Sequence, residues 1–105
     1  MFDYLIIGFV ELAIGIAFTF FPPKKINDMY GYWGKSAKKS PEAWQKAHRF
    51  AGPAFILGGI SAMTLGYYFF QSEVNYARTI SLLLSFAIGA LVILLTEQKL
   101  KNVRP

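Results

Sequence analysis

The sequence has no cysteine, one histidine and six acidic residues among 105. Without cysteine there are no disulfides and no thiolate metal sites, and nothing indicates a redox compartment. His48 stands alone, with no further ligand at a compatible spacing, so no metal site is expected. No glycine-rich phosphate loop, nucleophile triad or pair of carboxylates is visible. Neither an enzyme nor a cofactor is therefore expected. Charge is scarce as well: charged residues make up 16% of the chain, against 54% hydrophobic and 17% aromatic. A water-soluble chain this short could not hide so much apolar surface, because small domains bury the smallest fraction of theirs. A bilayer can.

What the sequence has instead is three long apolar runs, Tyr4–Phe21, Pro53–Phe70 and Thr79–Thr96. Each is at the short end of what crosses roughly 30 Å of hydrocarbon. The second and third show no polar face at helical period, which argues against buried helices of a soluble bundle. The amino terminus carries Asp3 and its run ends in Phe20-Phe21-Pro22-Pro23, with neither the basic start nor the small-residue cleavage site of a signal peptide. It is expected to remain as a span. The fold class is thus an all-α membrane protein of three transmembrane helices, residues 1–105 forming one membrane domain.

The basic residues set the orientation. Lys24, Lys25, Lys35, Lys38, Lys39, Lys46 and Arg49 lie between the first two runs, and Lys99, Lys101 and Arg104 follow the third. Only Arg78 lies on the other side. Short loops rich in Lys and Arg stay in the cytoplasm. The expectation is a multi-pass protein of the cell membrane, with its N-terminus outside, the loop 22–52 inside, the 71–78 hairpin outside and its C-terminus cytoplasmic. Tyr30, Tyr32, Trp33 and Trp44 then gather at the inner headgroup level as anchors, and Tyr4, Tyr67, Tyr68 and Tyr76 at the outer. The net charge of +5 is accounted for by topology and the lipid bilayer, so nucleic acid is not an expected partner.

Within the central loop, Pro22-Pro23 ends the first helix. Ile26–Lys39 reads as a polar stretch with turns at Gly31 and Gly34. Ser40-Pro41-Glu42 is a helix start, with a serine N-cap, proline at the first helical position and an acid in the first turn. The helix from Pro41 to about Ala51 places Trp44, Ala47, His48 and Ala51 on one face. It reads as a short interfacial helix, with Gly52-Pro53 bending the chain into the second span.

Small residues recur every fourth position at Gly58, Ala62 and Gly66, and again at Ser81, Ser85 and Gly89. Such stripes let helices approach closely in lipid, so the second and third spans are expected to form a tight hairpin. Gly8, Glu11 and Gly15 share a face of the first span. Glu11, near mid-run, is therefore expected to point at protein, either as a neutral acid bonded to Ser61, Thr64, Ser81 or Ser85 or as a functional intramembrane group.

The loop resembles the SdpI family of small bacterial membrane proteins. The likeness is carried by Asn27, Tyr30, Gly31 and Tyr32, then by Ser40, Pro41, Glu42, Ala43 and Trp44, and then by Ala47, His48, Phe50, Ala51 and Gly52, and it covers roughly Pro22 to Thr96. The resemblance implies a binding motif made of Asn27, Tyr30, Gly31, Tyr32, Ser40, Glu42, Trp44 and His48. It also implies immunity to a secreted peptide toxin and recruitment of a cytoplasmic regulator, the roles of the family's longer named member. Trp33-Gly34 replaces the family's Arg-Thr, and Ala37 its usual serine. An arginine there could grip a carboxylate or phosphate bidentately, so an activity dependent on it would be lost or altered. The competing expectations are a small proton-coupled transporter using Glu11 and a structural subunit of a membrane complex or homo-oligomer.

Overall fold

The computed structural model describes residues 1–32 and 34–103. Trp33 and Arg104, expected at the inner face, lie outside the described residues. Four helices follow in order: α1 (Phe2–Phe20), α2 (Lys35–Lys38), α3 (Pro41–Gln71) and α4 (Ala77–Leu100), with no strand among the described residues. Three of them, α1, α3 and α4, are long and apolar enough to cross a membrane. Arg78 at the start of α4 lies 3.3 Å from Asp3 at the start of α1. These two helices therefore run in the same direction, and α3 runs back between them.

The bundle is arranged as a protein in lipid requires. Most of its buried span positions are small or polar, among them Gly8, Glu11, Gly15, Ala62, Ser81, Ser85, Gly89 and Thr96, with Phe18, Phe55 and Val92 as the large apolar exceptions. Its outward positions include Phe9, Leu57, Ile60, Leu83, Phe86 and Leu94. Water would reverse this distribution; hydrocarbon does not, because packing and small-residue contacts, not apolar burial, hold helices together there.

The closest helix approach is between α1 and α3, not within the α3–α4 hairpin. A Cβ on Gly59 would stand 2.5 Å from the Leu12 nitrogen and 2.7 Å from the Gly8 carbonyl oxygen. One on Gly15 would meet the Gly52 carbonyl oxygen at 2.7 Å. Gly66 faces the Tyr4 backbone of α1, whereas Gly58 meets only the side-chain tips of Ile88 and Val92 on α4. The stripe at Gly58, Ala62 and Gly66 is thus shared between two neighbours. Glycines at positions 8, 15, 52 and 59 on facing surfaces make backbone-to-backbone contact possible for the first pair only.

The chain does not bend out of helix at Gly52-Pro53: α3 is continuous over 31 residues. Pro53 leaves the Arg49 carbonyl without its intrahelical partner, a loss of about 3 kcal/mol or more in a free helix. Packing offsets it. Gly52 is pressed against Thr19 and Phe18 of α1, and Ala51 and Phe55 are buried on either side. At 1.5 Å per residue α3 is about 46 Å long, some three turns more than about 30 Å of hydrocarbon needs. The excess is the segment from Pro41 to Ala51, and residues 22–40 fold against it.

The N-terminus of α3 forms as its sequence dictates. The Ser40 hydroxyl oxygen accepts from the Ala43 N–H at 3.1 Å, and Pro41 occupies the first turn. The helical turn α2 was not marked by periodicity, and only Ala37 within it is buried.

Candidate functional site

The loop from Pro22 to Ser40 is not a free connection. It is tied to each of the three long helices, and most of the residues that tie it belong to the motif singled out above.

The tie to α1 is Tyr30. Its hydroxyl lies 2.7 Å from the Phe21 carbonyl oxygen and 3.1 Å from that of Ala17, donating to one at a time. The Phe21 carbonyl is one of those the helix end leaves free, whereas that of Ala17 already accepts from the Phe21 N–H at 2.8 Å. Tyr30 is delivered there by Asn27, whose side-chain oxygen accepts from the Met29 and Tyr30 N–H groups at 3.0 and 2.8 Å. The Asn27 amide nitrogen donates to the Lys25 carbonyl at 2.9 Å, closing the turn.

The tie to α3 is made by Trp44 and His48, one helical turn apart. The Trp44 indole N–H donates to the Pro23 carbonyl at 2.8 Å. The His48 Nε2 accepts from the Tyr32 N–H at 2.9 Å. An acceptor Nε2 is unprotonated, so Nδ1 carries the hydrogen and donates to the Trp44 carbonyl at 2.7 Å. The imidazole is therefore neutral with a fixed tautomer. Burial holds its pKa below the ordinary 6.5, with the Trp44 carbonyl acting weakly in the opposite sense. Phe18 stands edge-on to the imidazole at 4.8 Å between ring centres, and the indole lies at 4.7 Å.

Gly31 lets the chain pass this cluster. Its φ of +127° is in the region that side chains avoid, and a Cβ there would stand 2.9 Å from His48 Nε2, Pro23 Cγ and Trp44 Cζ2.

The tie to α4 is Tyr32. Its hydroxyl donates to the Glu97 carboxylate at 2.9 Å, and burial together with that carboxylate holds the phenol well above its ordinary pKa. Lys39 completes the contact by donating to the Leu100 carbonyl at 2.8 Å, at the end of α4. On the surface, Lys38 pairs with Asp28 and holds its carboxyl below the usual range.

The motif residues thus converge, but in roles other than those expected of them. Trp44 is 1% exposed and His48 2%, so neither is an interfacial anchor; both are core. Tyr32 is buried as well. Ser40 acts as a helix cap, and Glu42 lies exposed in the first turn of α3, outside the cluster. Sequence reasoning missed Glu97. Its only signal was an acid placed directly after the third apolar run, where a polar loop could reach it. Among the described residues of the loop, the side chains facing outward include Lys25, Ile26, Asp28 and Met29 at the turn, Met29 being 89% exposed.

Glu11 is the second site. It is 6% exposed, on the buried face shared with Gly8 and Gly15, and its carboxylate fills the space a side chain at Gly89 of α4 would take. None of the four hydroxyls considered as partners holds it: Thr64 donates to Ile60, Ser85 to Ser81, and neither Ser61 nor Ser81 bonds to it. Its Oε1 and the Ser81 hydroxyl are buried without a partner among the described residues.

Three lipid-compatible helices with an inverted interior define a helical multi-pass membrane protein. The SdpI/YfhL protein family matches residues 24–96, from the docked loop through the end of the third span, and the chain belongs to that family. It is similar to the uncharacterized protein YfhL of Bacillus subtilis (strain 168), with 29% identity over 97 residues that cover 92% of this chain and 84% of the relative. No solved structure matches it.

Proposed function

We propose that the chain is a non-enzymatic membrane protein of the SdpI type. Its loop end faces the cytoplasm, and it gives tolerance to a secreted antimicrobial peptide toxin or signals to a cytoplasmic regulator. The orientation is supported by the basic residues, ten of eleven of which lie at the loop end. The observation that carries the reading is the docking of the loop. Tyr30, Tyr32, Trp44 and His48 are committed to holding it on three helices. The loop therefore presents one fixed outer face, with Lys25, Asp28 and Met29 at its tip, and a preformed face binds a partner at lower entropic cost than a mobile one.

The test is survival of a toxin-sensitive bacterium that expresses the chain and is challenged with secreted antimicrobial peptides. Trp44→Ala, which undoes the docking, and Lys25→Gln with Met29→Ser, which changes only the tip, should both remove protection while the protein stays in the membrane. Protection unaffected by either variant would refute the reading. A second reading, proton-coupled transport, is favoured only by the unpartnered Oε1 of Glu11. Resistance to a cationic drug that disappears in Glu11→Gln, with the tip variant unaffected, would establish it instead.

A further inference from the structure

Beside the docked loop, between the end of α1 and the first turns of α3, lies a groove of about 560 Å³. That volume is within the roughly 300–1,000 Å³ range of small-ligand sites. Phe18, Pro22 and Pro53 supply an apolar lining, and Lys24, Gln45 and Arg49 supply polar and cationic groups. Lys24 and Arg49 come from different elements and are both exposed, and neither pairs with an acid among the described residues. The His48 ring also borders the groove, but both of its nitrogens are already committed to Tyr32 and Trp44.

The groove sits where the first span ends. Phe20 and Phe21, next to it in the chain, are 66% and 73% exposed, as side chains turned to lipid are. Two unpaired cations above an apolar lining at the boundary of the hydrocarbon match a molecule with an anionic head and an apolar body. A free phosphate would gain nothing from Phe18 and the prolines.

We propose that this groove binds the phosphate headgroup of an anionic phospholipid. Arg49 grips the phosphate through its planar fork, Lys24 adds a point charge, and the first carbons of the lipid lie on Phe18 and Pro53. Occupancy would join α1 to α3 beneath the docked loop and make the stability of the loop end depend on lipid composition.

The full chain is reconstituted in nanodiscs of phosphatidylcholine with a minority of phosphatidylglycerol, and native mass spectrometry counts the lipids retained on release. Wild type should retain one phosphatidylglycerol in preference to phosphatidylcholine. Lys24→Gln with Arg49→Gln should lower that preference about twenty-five-fold, at roughly fivefold for each charge removed near the surface. Lys35→Gln with Lys101→Gln removes the same charge away from the groove and should leave the preference intact, whereas Arg49→Lys keeps the charge but loses the planar fork and should lower the preference only in part. Helix content by circular dichroism confirms that each variant is folded. Equal loss in the two neutralised pairs, no preference in wild type, or displacement of the lipid by millimolar glycerol phosphate would each overturn the proposal.

Discussion

His48 offers the sharpest perturbation, because one ring accepts from the loop and packs against both Phe18 and Trp44. In His48→Ala the Tyr32 N–H loses its acceptor in a buried position, which costs about 1–3 kcal/mol. The edge contact with Phe18 and the contact with Trp44 add about 0.5–1.5 kcal/mol each. Since such terms do not add fully, loop docking should weaken by about 2–4 kcal/mol. His48→Gln keeps a side-chain acceptor and should recover part of this. Acid should do what the alanine does. A protonated imidazole presents a second donor to the Tyr32 N–H, and the folded pKa lies below the ordinary 6.5. The unfolded loop therefore takes up the proton first as pH falls. The contribution of His48 is complete above about pH 6.5, and it declines as pH falls from there through the folded pKa. The assay is nitrogen-15 NMR of the labelled imidazole in detergent or nanodiscs. It should show Nδ1 protonated and Nε2 bare at neutral pH, titrating below a free histidine. A ring that titrates at or above 6.5, or that carries its proton on Nε2, would refute the reasoning.

Other positions give independent checks. Gly31→Ala meets both an unfavourable φ and three atoms at 2.9 Å, so it should destabilise loop docking by about 1–3 kcal/mol, read as faster proteolysis after Lys24 or Lys25. The adjacent glycines of α3 should part company. Gly59→Ala drives into the α1 backbone and should cost about 1–3 kcal/mol in unfolding assays, whereas Gly58→Ala meets only the movable tips of Ile88 and Val92 and should cost less than half as much. Tyr32→Phe and Glu97→Ala should be coupled. A double-mutant cycle on thermal unfolding should return about 1.5–3 kcal/mol for a hydrogen bond to a charged acceptor, and a coupling near zero would remove the tie to α4.

How much of this was legible in the sequence depends on the range of the forces involved. The spans were legible because an apolar run of membrane length is a local signal: α3 and α4 contain the second and third runs whole, and α1 contains all of the first but Phe21. Ser40-Pro41 was legible because a cap acts over three residues. The buried face of α1 was legible because Gly8, Glu11 and Gly15 repeat at helical spacing, and all three are buried. Pro53 misled, because the local rule against proline in a helix was overridden by Gly52 packing against Thr19 and Phe18, thirty or more residues earlier in the chain. The tyrosines and Trp44 misled for a related reason. An aromatic ring with a polar handle suits a headgroup layer or a buried hydrogen bond equally well, and only the fold shows that Pro23, Glu97 and the end of α1 supply the partners. The pairing of α1 with α3 was hidden because stripes of small residues occur on every helix and carry no address.

The central claim is that residues 22–40 are docked on the helix ends and not free. Amide hydrogen exchange of the full chain in bilayer nanodiscs tests it most directly. The Tyr32, Ala37 and Ala43 amides, which donate to His48, Gly34 and Ser40, should be protected nearly as well as the interior of α3, while those of the 72–76 hairpin exchange quickly. Exchange of the Tyr32 and Ala37 amides as fast as that of the hairpin would contradict it.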